Sequence, residues 1–284
     1  MMFWIIQSLN GISYGMLLFL LASGLSLIYG LMKILNLTHG SFYLLGGYVG
    51  LAVLQQTKSF VLAVLLGSIA IALLGVIMER FLLRPLHLKE MPQTLLTFGL
   101  LFIFSDLAML IWGGNPQTVP KPELFRQSID IGGMVYPSYR LFIIGFGLFV
   151  AAVLWWVQEG TRIGAMVRAG VDNEEIARAL GINVSLLFTM VFALGAFLAA
   201  LGGVMGGPIV GVYPGADFEV LLMGFVVVII GGLGSLKGAL VGGLIVGLLD
   251  NFGKVFFPEF ALFTIFAPMA LILAVRPTGL FGKE

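Results

Sequence analysis

The sequence predicts an all-α polytopic membrane protein of about eight or nine transmembrane helices, with the N-terminus outside and the C-terminus cytoplasmic. Three observations carry this expectation. Of 284 residues, 60% are hydrophobic and only 10% charged, against roughly a quarter charged in an ordinary globular domain; mean hydropathy is +1.08. Apolar runs such as 60–78 (FVLAVLLGSIAIALLGVIM) reach the ~20 residues that cross ~30 Å of hydrocarbon. Lys and Arg are also divided unequally between alternate loops, which orients the chain.

The opening MMFWIIQSLNGISYG has neither the basic stretch nor the small-residue cleavage site of a secretory signal and reads as the first span. Breaks in hydropathy place spans near 7–30, 39–55, 60–83, 93–112, 139–157, 186–206, 217–233, 237–250 and 259–275. Each is expected to be helical, because lipid leaves no backbone polar group unpaired. The whole of 1–284 reads as one transmembrane domain. Its 39 glycines exceed what loops need and suit close helix approach. The spans at 217–233 and 237–250 are short and Gly-interrupted, so they are either full tilted spans or a re-entrant pair lining a path.

Alternating the loops puts Lys33, Arg80, Arg84, Lys89, Arg162, Arg168, Arg178, Lys237, Arg276 and Lys283 on one face, and Lys58, Lys121, Arg126, Arg140 and Lys254 on the other. The richer face is cytoplasmic by the positive-inside rule. The long loop 113–138 is then external. Its SIDI and MVY flank Gly132-Gly133, the pattern of a two-residue β-hairpin that either docks a soluble partner or packs on its own helices.

The cytoplasmic stretch 158–185 contains DNEEIARALGINVS. Asp172 is the expected N-cap, answered by Glu175. Glu174 and Arg178 are an i,i+4 pair in the favourable order, and Gly181 stands at a left-handed C′ position. The expected helix, 173–180, carries Ile176, Ala179 and Leu180 on one face. An upstream helix, 161–169, is hinged to it at Gly170-Val171. Two short helices, caps and an apolar stripe exceed what a passive connector requires, which points to docking of a protein partner.

The run Glu175, Ala177, Arg178, Leu180, Gly181, Ile182, Asn183 resembles the coupling loop of ATP-binding cassette (ABC) importer permeases. GLSLIYGLMKILNLTHGSFYLLGGYVG (24–50), PQTVP in the outer loop and GGLGSLKGALVGG (231–243) resemble the branched-chain amino acid permease family of LivH type, over essentially the whole chain. The resemblance implies a multi-pass permease subunit in a bacterial or archaeal cytoplasmic membrane. It implies a second permease, similar or identical, two cytoplasmic ATPases and an external substrate-binding protein. Asp172, Glu174, Glu175, Ile176, Ala177, Arg178, Leu180 and Gly181 then form the ATPase-coupling segment.

The chemistry visible in the residues is sparse. No G-x-x-x-x-G-K-[ST] occurs, so ATP is expected on partner subunits and this chain itself is expected to need no cofactor. With no cysteine, two histidines (His39 and His87) and no H-E-x-x-H, no metal site is expected. No catalytic residue and no nucleic-acid partner is expected. Gly11-Ile12-Ser13-Tyr14-Gly15 matches G-x-S-x-G, but without strand-turn-helix context it reads as GxxxG packing. Candidate path residues are Asn36, Thr38, His39, Ser41, Tyr43 and Asp106, the last read as the one clear mid-span acid, either facing the path or pairing with a neighbour such as Arg140. Thr38 is also a good N-cap. Readings that compete with amino acid import are a related permease for urea, amides or another small polar metabolite, a secondary transporter, and an intramembrane hydrolase built on Ser13.

Overall fold

The computed structural model describes residues 2–282. In chain order the α-helices are α1 (Met2–Met32), α2 (His39–Thr57), α3 (Phe60–Met78), α4 (Glu90–Trp112), α5 (Ser138–Gly160), α6 (Arg162–Asp172), α7 (Glu174–Ala179), α8 (Val184–Val210), α9 (Ala216–Gly231), α10 (Leu236–Phe256) and α11 (Ala261–Val275). Strands β1 (Ser128–Ile131) and β2 (Met134–Pro137) pair antiparallel between α4 and α5. Each of the nine expected spans falls on one helix. Among the described residues, seven helical segments are long and apolar enough to cross a membrane. The exceptions are α2, diluted by Gly, His, Tyr and Gln, and the 16-residue α9.

Small residues decide how the helices meet. A Cβ at Gly15 would lie 2.6 Å from the Gly243 carbonyl oxygen, and one at Gly11 would lie 2.9 Å from Leu248 Cα. The α1 and α10 backbones therefore touch, and Gly11 and Gly15 act as a packing face. Ser13 between them is fully buried, and its hydroxyl has no hydrogen-bond partner among the described residues, His39 and His87 included. Gly30 lies beside Gly234 at the other end of the same contact. Helix α10 follows α1 along most of its length and is long enough to cross, whereas the 16-residue α9 is not.

The start of α2 is unusual. After α1, residues 33–38 turn back into the bundle, where the Thr97 hydroxyl of α4 accepts from Leu37 N (3.2 Å) and donates to the Leu35 carbonyl (3.3 Å). The His39 ring donates to the Leu21 carbonyl at 2.9 Å. Leu21 lies eleven residues before the end of α1 at Met32, about 16 Å along the axis, so α2 begins deep inside the bundle. Gly40 there presses on the Asp217 carbonyl at the start of α9, leaving no room for a Cβ. Thr38 precedes α2 but does not cap it; its hydroxyl turns to the Asn36 side chain.

At one end of the bundle, the Gly132-Gly133 turn has positive φ at both residues, as a two-residue hairpin requires. Tyr136 is buried and donates to Asn10 of α1 at 3.2 Å, while Val135 is exposed. The preceding Pro-rich strand is strapped to the α8–α9 loop by paired Gln117 and Val212 backbone bonds of 2.7 and 3.0 Å, with Val119 buried against Gly207. The loop is thus packed on its own helices along one side.

Candidate functional site

At the opposite end from the hairpin, α6 and α7 protrude between α5 and α8. Thr161 caps α6 by accepting from Gly164 N at 3.2 Å. That helix continues through Gly170 and Val171 to Asp172, so the expected hinge lies two residues later. Asp172 ends α6 and does not cap α7. The cap is Asn173, whose Oδ1 accepts from Ile176 N at 2.9 Å in extended backbone that Asp172, still helical, does not adopt. The C-terminal expectation holds: Gly181 has φ +83°, with bonds from its N–H to Arg178 O and from Ile182 N to Ala177 O, both satisfying otherwise orphan carbonyls.

The two faces of α7 are chemically distinct. Ala177 is 1% exposed and packs with Leu31, Val184, Leu187, Phe188 and Val191, so it faces the bundle. Ile176 (59% exposed), Ala179 and Leu180 (74% exposed) face outward, with Glu175 also exposed. Glu174 bonds Arg178 at 2.6 Å and also meets His87 Nε2 at 3.2 Å. That second contact joins α7 to the segment after α3.

This segment holds a polar cluster absent from the sequence expectations. The end of α3 passes into a π-helical turn, Glu79–Leu83, and a 3-10 turn, Arg84–Leu86. Glu79 is fully buried and receives Arg84 in a two-point pair, 3.2 Å from Nε and 3.0 Å from Nη2. Thr189 of α8 donates to Glu79 at 2.8 Å, and Arg84 reaches the Ser185 carbonyl at 3.0 Å. Arg84, counted in the sequence only as a loop charge, thereby ties α3 to α8.

Of the expected path residues, Asn36, Thr38, His39 and Ser41 are completely buried where α2 begins. Ser41 donates to the Leu101 carbonyl at 3.4 Å. They are only partly satisfied by one another and their neighbours: Asn36 Nδ2 and His39 Nδ1 have no hydrogen-bond partner among the described residues. Asp106 is exposed on α4 and forms no ion pair, with Arg140 or any other described residue. Nor is it the one acid at depth, because Glu79 and Asp217 are buried and Asp250 nearly so.

Tyr43, by contrast, lines a cavity. This cleft, of about 360 Å³, lies between α1, α2, α9, α10 and α11. Its polar groups are Tyr14, Tyr43, Tyr213, Glu219, Asp250 and Lys254, over an apolar floor that includes Leu17, Leu18 and Val220. Tyr213 donates to Glu219 Oε2 at 2.7 Å, and Lys254 Nζ lies 2.8 Å from Asp250 and 5.6 Å above the Tyr14 ring. Burial and the Glu219 bond push the Tyr213 pKa up to about 12, so the hydroxyl remains a donor. Asp250 closes the expected span 237–250 and Lys254 reads there as a loop charge, whereas α10 runs on to Phe256 and carries both.

Residues 7–275 match the family described as branched-chain amino acid transport system / permease component. The chain belongs to that family. The permease is 28% identical to the high-affinity branched-chain amino acid transport system permease protein BraD of Pseudomonas aeruginosa, over 98% of this chain and 95% of that protein. It is 27% identical to the corresponding LivH of Escherichia coli, over 99% and 96%. The ribose import permease protein RbsC of Haemophilus influenzae is 28% identical over 76% of this chain and 68% of its own length. No solved structure matches the permease. It is a multi-pass transport component, and its two featured regions, the α6–α7 protrusion and the cleft, lie toward opposite ends of the bundle.

Proposed function

We propose that this permease forms the translocation path for branched-chain or similar small aliphatic amino acids in an ATP-driven importer of a bacterial or archaeal cytoplasmic membrane. The energy enters through α7. The observation that carries this reading is the outward apolar face of Ile176, Ala179 and Leu180, on a helix held to the bundle by Ala177 and Glu174 and ended by Gly181. An apolar face on a rigid, solvent-side helix is complementary to a groove on a soluble partner, here the ATPase subunits. A second permease, similar or identical, completes the path, and an external binding protein delivers substrate at the hairpin end. The Lys/Arg excess on the α7 end supports a cytoplasmic setting for that end.

The test is uptake by the assembled transporter in vesicles, with ATP on the α7 side and binding protein on the other. Radiolabelled leucine, isoleucine and valine are expected to accumulate only with ATP, and ribose and urea are not. The ribose permease likeness makes ribose the informative competitor. Accumulation of ribose or urea instead of leucine overturns the substrate assignment.

A further inference from the structure

The cleft beside α9 carries more charge than packing explains. Leu17, at the midpoint of α1, lies on its floor, so the cleft extends from mid-depth toward the hairpin end. Glu219 is exposed there, and Asp250 and Lys254 share the same space. Ionisable groups at membrane depth are costly against lipid and are kept where they face water or a ligand. A metal site is a poor account of them: no group of three potential metal ligands exists among the described residues, and the lysine repels a cation.

We infer that this cleft is a binding site for a zwitterion with an aliphatic side chain, an inference that rests on the transport reading above. Lys254 spends one of its three N–H donors on Asp250, leaving the others for a carboxylate. Tyr213 occupies Oε2 of Glu219, and Oε1 remains to accept from an ammonium. Two carboxylates against one lysine leave an excess negative charge, which suits an ammonium group and disfavours a simple carboxylic acid. Beside these charged groups, Leu17, Leu18, Val220, Leu222, Met223 and Leu262 line the same cleft and offer an apolar wall to a branched side chain. The volume, about 360 Å³, falls at the small end of the ~300–1,000 Å³ of ligand pockets. A sugar, rich in hydroxyls, would leave this wall unused.

The absence of cysteine allows a direct test on the assembled transporter. Leu222 is 41% exposed in the cleft. Leu222→Cys is expected to react with a water-soluble thiol reagent, and leucine, added without binding protein, is expected to slow that reaction several-fold. Leucinamide, which keeps the ammonium but lacks the carboxylate, is expected to protect less, and 4-methylpentanoate, which lacks the ammonium, not at all. In Leu222→Cys/Glu219→Gln and Leu222→Cys/Lys254→Met the reagent is expected to react at the unprotected rate whether or not leucine is present. A Leu222→Cys thiol that never reacts, equal protection by ribose, or protection that survives both second substitutions overturns the assignment. ATP-dependent leucine uptake by the unsubstituted transporter is measured in the same vesicles. Its absence overturns the transport reading, whereas uptake without protection overturns only the site.

Discussion

Glu79 shows at the scale of one residue what the sequence conceals. It sits at the end of the apolar run read as a span over 60–83, and nothing in its neighbours announces that the π-helical turn carries it inward to meet Arg84 and Thr189. A buried carboxylate is tolerable only while paired. Because the Arg84 side chain is 35% exposed and Thr189 still donates to Glu79, Arg84→Ala is expected to lower stability by about 1–3 kcal/mol, read as the unfolding transition of the purified protein in detergent. The double variant Glu79→Gln/Arg84→Met removes the charge together with its partner and is expected to recover most of that loss. An Arg84→Ala protein as stable as the parent would mean that the pair contributes nothing. Gly181 is the opposite case, a residue whose role could be read directly: its φ of +83° is where a C′ glycine was expected. Gly181→Ala is expected to cost on the order of 1 kcal/mol, because a side chain there must adopt a left-handed conformation, and hydrogen exchange in α7 should rise accordingly.

The element that most clearly separates the two kinds of information is α7. Its existence and its C-terminal stop follow from local signals, the acidic first turn, the i,i+4 pair and the glycine. Which face looks inward does not, because that depends on where α1 and α8 pass. The expectation grouped Ala177 with the docking residues, yet it is the one that anchors the helix to Leu31 and Leu187. The faces should respond differently. Ala177→Leu overpacks a filled site and is expected to destabilise by about 1–3 kcal/mol. Ile176→Asp, on an exposed position, is expected to leave stability within about 0.5 kcal/mol while abolishing ATP-dependent uptake and releasing the ATPase during purification. Full uptake by Ile176→Asp would make the segment an ordinary solvated loop. The same division explains α2. Its helical run was legible, but its start deep in the bundle follows from Thr97 and Leu21, some sixty residues downstream and eighteen upstream. That the polar residues Asn36, Thr38, His39 and Ser41 end up buried there could not be read along the chain.

At the scale of the whole molecule, hydropathy sufficed for nine helices and the Gly11/Gly15 spacing for a packing face on α1, both being properties of contiguous sequence, but not for α10 as the partner of that face. The cleft was not legible, because Tyr14, Tyr213, Glu219 and Lys254 come from three helices and a loop far apart in the chain. What unites the molecule is its polarity: the cleft lies toward the hairpin end and α7 protrudes from the other, so on the proposed reading substrate and energy would enter from opposite sides. That arrangement requires one orientation, for which the Lys/Arg division is the physical argument. It can be tested with single cysteines. Ser128 lies exposed in β1, and Glu175 is exposed on α7 with no side-chain hydrogen bond among the described residues, unlike the capping Asn173. In intact cells stripped of any outer barrier, Ser128→Cys is expected to react with a membrane-impermeant thiol reagent at once, and Glu175→Cys only after permeabilisation. Reaction in the reverse order would put α7 outside, beyond reach of a cytoplasmic ATPase, and would remove the basis for energy entering there. Reaction of both from the same side would mean that the number of crossings between them is even, in conflict with α5 being a complete span.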